Sequence, residues 1–256
     1  MDEELRNIIL EYLLKFESRL RSIIAYRFSD ICKGNRYGYL EISNYRQDAD
    51  SLSIVLKNIS NLSHKLNKYG QAGFNNPVKH YVRNHEDVPL WVLVNYLTFG
   101  EIQYLFDSLP DRVKQDVARD FSEYYKKATK SNEKIDIEEL HVIVACSNLF
   151  RNVCAHEERL YNYQIRQRLK LSKLKKYFIN NSGIVESRAN LFVMVSMLMI
   201  ILSHQDSKDL VRRLDRSFGR RSKKWKSIEL DSVLEMMGFS KNWKKDLCLK
   251  GNVDKG

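Results

Sequence analysis

Apolar side chains recur at Leu5, Ile8, Ile9, Tyr12, Leu13, Phe16, Leu20, Ile23, Ile24 and Phe28, every three or four positions. That spacing lays one stripe along a helix and predicts a first helix over about 3–30. Gly34, Asn35 and Gly38 then break the chain. The pattern resumes over 46–69, ends near Gly70, and gives way to a loop with Gly73, Asn75, Asn76 and Pro77. Pro89 opens a helix over Leu90–Leu97, with Asp87 as its expected cap. Thr98-Phe-Gly-Glu101 has the form of a capping box, so another helix starts there.

A further helix is expected over 110–128, followed by a polar connection at 128–134. The periodicity then reads as one long helix from about 136 to 165 and a basic helix to about 178. Asn180, Asn181, Ser182 and Gly183 interrupt the chain before an apolar helix over 186–203. The sequence thus predicts an all-α fold. No repeat or long linker divides it, so it reads as one helical domain over 1–256 with a basic extension at about 205–256.

Composition narrows the class. Gly numbers 10 and Pro 3 in 256 residues, against usual shares of about 7% and 5%. So few breakers exclude collagen, low-complexity linkers and turn-rich β-sandwiches. The longest apolar stretch, Leu191–Leu202, holds 12 residues and is interrupted by Ser196. A membrane span needs about 18–20, so this is a buried core helix. The acidic start shows no signal-peptide pattern. Cys32, Cys146, Cys154 and Cys248 are scattered with no C-x-x-C, which fits a reducing cytoplasm and neither a disulfide framework nor a zinc site. His80 and His85, with Glu86 and Asp87, match no standard zinc spacing and are expected on an ordinary loop. Neither a metal nor a cofactor is implied.

Charge is unevenly placed. The net charge is +11; residues 160–256 carry +12 and residues 1–159 carry −1. In the first basic run, Arg166, Arg168, Lys170, Lys173, Lys175 and Lys176 occur with no acid among them. The second, over 208–226, includes Arg212, Arg213, Arg216, Arg220, Arg221, Lys223 and Lys224. Such runs have the footprint of a polyanion partner, RNA above all, because phosphate neutralisation supplies affinity without reading sequence. A solvated helix face has the same composition. Trp225, Tyr177 and Phe218 lie among or beside these cations, placed either to stack on bases or to pack in a core.

The stretch from Leu149 to Asn162 carries the candidate chemistry. On a continuous helix, Leu149, Val153 and Leu160 would face a core, and Asn152, His156, Arg159 and Tyr163 would form a separate stripe with Arg151 to one side. A phosphate would then meet a guanidinium, an imidazole and an amide in a small volume. Histidine can accept a proton from a ribose 2′-hydroxyl or give one to a leaving 5′-oxygen. An arginine fork can hold the phosphate and offset the transition-state charge. The internal 2′-hydroxyl nucleophile needs no metal and is missing from DNA.

At these residues the chain resembles the HEPN superfamily, whose nuclease motif is Arg-x4–6-His with a polar residue, often Asn, after the Arg: here Arg151-Asn152 and His156. More closely it resembles bacterial abortive-infection proteins of the AbiD/AbiF type. The resemblance runs through Glu17-Ser-Arg-Leu-Arg21, His80-Tyr81, Pro89-Leu-Trp91, Thr98-Phe-Gly100, Arg151–Asn162 and Met237–Trp243, in order. It implies a HEPN-like helical bundle with added helices, phage defence, and metal-independent endoribonuclease activity with Arg151, Asn152 and His156 as catalytic residues. It also implies that two copies of the motif meet across a homodimer, since no other arginine here has a histidine five to seven residues later. Arg159, Glu17 and Arg21 are secondary site candidates, the last two being equally readable as an i, i+4 surface ion pair. A structured non-coding RNA is a conceivable partner. Where such proteins often have Gly or His after the motif histidine, this one has Glu157-Glu158. The competing readings are a non-catalytic RNA-binding protein and, more remotely, a helical DNA-binding regulator.

Overall fold

A computed structural model describes residues 1–167, 169–180, 188–222 and 230–251. Its elements are α1 (Asp2–Ile31), α2 (Leu52–Gly70), α3 (Pro77–Asn84), α4 (Leu90–Leu93), α5 (Phe99–Ser108), α6 (Asp111–Thr129), α7 (Ile137–Ala155), α8 (Leu191–Ile201), α9 (His204–Ser222), α10 (Leu230–Met236) and α11 (Trp243–Asp246). Among the described residues, β-structure is limited to an isolated antiparallel bridge, Phe178 with Leu249. The fold is all-α. The chain forms two compact units, Met1–Phe16 with Phe121–Gly256, and Glu17–Asp120. Both boundaries fall inside helices, α1 and α6.

In the unit Glu17–Asp120, Leu20, Ile24, Phe28, Leu62, Ile102, Leu105 and Phe106 are fully buried, and α2 packs on α3 and α5. The expected helix over 46–69 begins only at Leu52. Three short 3-10 turns occupy residues 38–51 instead. Two buried tyrosines hold them: the Tyr39 hydroxyl donates to the Val88 carbonyl at 2.7 Å, and Tyr45 donates to the Tyr39 carbonyl at 2.5 Å. These bonds fix a backbone path that a helix could not follow. The expected loop around His80 is in fact α3, capped by the Asn76 side chain with Pro77 in its first turn. Asp87 does not cap α4, whose N-terminal flank is Pro89 without a side-chain cap. Thr98 and Glu101 do form both arms of the capping box.

In the other unit, α8 is the central core helix. Every residue from Leu191 to Ile201 is buried except half-buried Met199. The Asn190 side chain caps it, accepting from the Val193 amide at 3.1 Å. The Met237–Trp243 segment clasps the same end: Phe192 donates its amide to the Met237 carbonyl at 3.0 Å, and Phe239 stacks edge-on against Phe192, Phe218 and Trp243. Phe218 and Tyr177 are therefore core residues, not base-stacking ones; Trp225 lies outside the described residues. The first half of α1 is fastened to α9 by Tyr12 donating to Asp209 at 2.6 Å and by the pairs Lys15–Asp206 and Arg213–Glu11 at 2.8 and 2.5 Å.

Candidate active site at the end of the seventh helix

Helix α7 starts at a second capping box, Asp136 with Glu139. Its core face carries Leu140, Ile143, Val144, Cys146, Phe150, Val153 and Cys154. Burial pushes the Cys146 and Cys154 thiols up to about 12, so they act as small apolar residues rather than nucleophiles. Leu149, expected in the core, is instead 40% exposed. It shares a stripe with Val142, Ala145 and Asn152, all half-buried and within about 80° of one another at about 100° per residue.

The expected long helix to 165 ends ten residues early. Ala155 is its last residue and His156 its cap, whose amide donates to the Asn152 carbonyl at 2.9 Å. Glu157 then takes the left-handed conformation, φ +57°, and the Glu158 amide reaches back to the Val153 carbonyl at 3.0 Å. This is a Schellman ending, with a glutamate where glycine is usual. The chain leaves the helix axis at this point, so the stripe expected through Arg159 and Tyr163 does not form. Tyr163 packs edge-on against Phe150 at 5.0 Å. Arg159 is exposed, its guanidinium 5.8 Å from the Tyr161 ring.

The start of the chain holds the loop that follows. The Asp2 carboxylate accepts from the amides of Leu160 and Tyr161 at 3.0 and 2.8 Å. Arg6 pairs with Asp2 at 2.6 Å and also donates to the Glu158 carbonyl at 3.1 Å. Leu160 is fully buried beneath this clamp. The sequence shows Asp2 and Arg6 only as an i, i+4 ion pair; their partners in the loop are backbone groups, which carry no side-chain signature. The result places Arg151 and Asn152, both half-buried, on the last turn of α7, and His156 exposed at its end. Among the described residues no group of three metal-ligating side chains forms.

Glu17 and Arg21 lie in the second unit. They are not an exposed pair. Glu17 is 2% exposed and touches Arg21, which donates to the Leu97 carbonyl at 2.7 Å.

The first basic run is not an α-helix. Residues 171–177 form a 3-10 helix, with Leu171, Leu174 and Tyr177 buried; residues three apart eclipse one another in that geometry. Two of its cations serve the fold: Lys173 pairs with Glu138 at 2.7 Å and Lys176 with buried Glu139 at 2.8 Å. Arg166 and Lys170 are exposed and Lys175 is half-buried. In the second run, Arg213 pairs with Glu11, Arg212 touches Asp209, and Arg220 lies 3.8 Å from Glu4. Arg216 is exposed and Arg221 lies in α9. Arg168, Lys223 and Lys224 are outside the described residues.

A family model described as Abi-like protein matches residues 1–162, a span that closes with the candidate motif. Neither the curated proteins nor the solved structures return a match.

Proposed function

The chain belongs to the Abi-like protein family, and on that premise we propose that it is a HEPN-type, metal-independent endoribonuclease of a bacterial abortive-infection system. In this reading Arg151 holds the scissile phosphate, Asn152 orients it, and His156 moves the protons. The 2′-oxygen attacks phosphorus as its proton passes to an imidazole, and the bond to the 5′-oxygen breaks as that oxygen is protonated. The products carry a 2′,3′-cyclic phosphate and a 5′-hydroxyl.

The observation that carries this reading is the ending of α7. It presents a guanidinium, an amide and an exposed imidazole within six residues, on a helix end clamped by Asp2 and Arg6. One imidazole cannot serve as base and acid in the same step, which supports a homodimer that supplies two. The stripe of Val142, Ala145 and Leu149 beside Asn152 supports the same assembly: it offers apolar surface on the motif's own face. RNA substrate would be drawn by the exposed cations Arg166, Lys170 and Arg216. The test is cleavage of single-stranded RNA in the presence of EDTA by the wild type and by His156→Ala, with product ends identified.

A further inference from the structure

Away from the motif, a pocket of about 370 Å³ opens between α9, α11 and the segment that follows α11. Pockets of this size and upward hold small organic ligands. Its floor is aliphatic: Met199 and Val211 half-buried, Leu247 and Leu249 buried. Its rim is cationic. Lys208, Arg212 and Lys244 line it with Asp215, and Asp209 lies against Arg212. Lys208, Val211, Arg212 and Asp215 are spaced i, i+3, i+4 and i+7, which puts them on one face of α9. The adjoining face of that helix, with Leu210, Leu214 and Phe218, is in the core. The rim is therefore carried by a helix that cannot turn away. Asp209 holds the Arg212 guanidinium, and Asp215 holds Lys244.

We infer that this pocket binds a small phosphomonoester with an apolar or heteroaromatic body. A phosphomonoester offers three strong acceptor oxygens, one for each of the rim cations Lys208, Arg212 and Lys244; a carboxylate offers two. The aliphatic floor takes the body, and the rim takes the head. A mononucleotide and an alkyl phosphate share this chemistry. The inference does not depend on RNA cleavage.

Cys248 supplies the test. It lines the pocket and is exposed, whereas Cys32, Cys146 and Cys154 are buried. The full-length protein is treated with Ellman's reagent, and thionitrobenzoate release from Cys248 is followed in the presence of AMP, octyl phosphate, adenosine or inorganic phosphate. AMP or octyl phosphate slows the reaction, and the stronger of the two identifies the kind of body the floor accepts. Adenosine and inorganic phosphate, each half of a ligand, do not. Lys208→Gln removes one charge-assisted contact at an exposed position and raises the ligand concentration needed by about tenfold. Absence of protection by both phosphomonoesters overturns the inference. So does equal protection by inorganic phosphate, or unchanged protection in Lys208→Gln.

Discussion

The backbone amide of His156 donates to the carbonyl of Asn152, closing the final turn of α7 with the two motif residues themselves. His156 is thereby held one turn beyond Asn152, at a helix end rather than along a helix face. The spacing of the motif and the place where the helix stops are one structural fact.

Glu157 makes that ending costly. A non-glycine residue in the left-handed region is strained, and glycine is the usual occupant of this position after a helix. Glu157→Gly should raise stability by about 1 kcal/mol, seen as a higher urea midpoint with an unchanged slope. A lower midpoint would show that the carboxylate contributes more than the backbone loses.

Asp2 should matter to the site although it lies at the far end of the sequence. Asp2→Ala leaves the Leu160 and Tyr161 amides without their acceptor and Arg6 with the Glu158 carbonyl alone. A loss of about 1–3 kcal/mol is expected, together with a fall in RNA cleavage. Asp2→Asn keeps one acceptor oxygen and should lose less. Equal behaviour of both variants and the wild type in melting and cleavage would contradict the clamp.

Much of this architecture was legible in the residues. The stripe from Leu5 to Phe28 gave α1, and Thr98-x-x-Glu101 gave the start of α5, because each pattern reports a local geometry. The end of α7 was not legible. No glycine or proline lies between His156 and Gly183, and Leu160 and Tyr163 continue the helical spacing; Leu160 is buried because the chain turns back under the Asp2 clamp, not because a helix continues. The 3-10 segment was hidden similarly: its cations looked like a helix face, while the informative signal was the spacing of three in Leu171, Leu174 and Tyr177. Candidate chemistry was readable from residue types, its presentation was not.

Gly238 is a tight point of a different kind. Its φ is +86°, and a Cβ there would meet the Asn190 side chain at 2.1 Å. Asn190 caps the central core helix. Gly238→Ala should therefore cost backbone strain and the cap together, about 2–4 kcal/mol, read as a fall in melting temperature. Asn190→Ala should cost only about 1 kcal/mol. A Gly238→Ala protein as stable as the wild type would contradict this packing.

Alkaline pH should loosen the junction of α1 with α9. Burial, together with the hydrogen bond to Asp209, pushes the Tyr12 hydroxyl up to about 12, from an ordinary value of about 10. The folded state holds this proton more tightly than the unfolded one. Its contribution is whole below pH about 10 and fades as pH rises toward about 12. Tyr12→Phe has no proton to lose there, so its stability should fall less steeply over that window in pH-dependent urea unfolding. Parallel curves would contradict the assignment.

The central claim is that an arginine and a histidine at the end of α7, from each of two copies of the chain, cleave RNA without a metal. The most direct measurement is cleavage of a 3′-labelled single-stranded RNA in EDTA by the wild type, Arg151→Ala and His156→Ala, with the ends of the fragments determined. The wild type should leave 2′,3′-cyclic phosphate and 5′-hydroxyl ends, and each variant should be slower by about 10²–10⁴-fold while remaining folded. Cleavage that stops in EDTA, or that continues undiminished in both variants, would contradict the account.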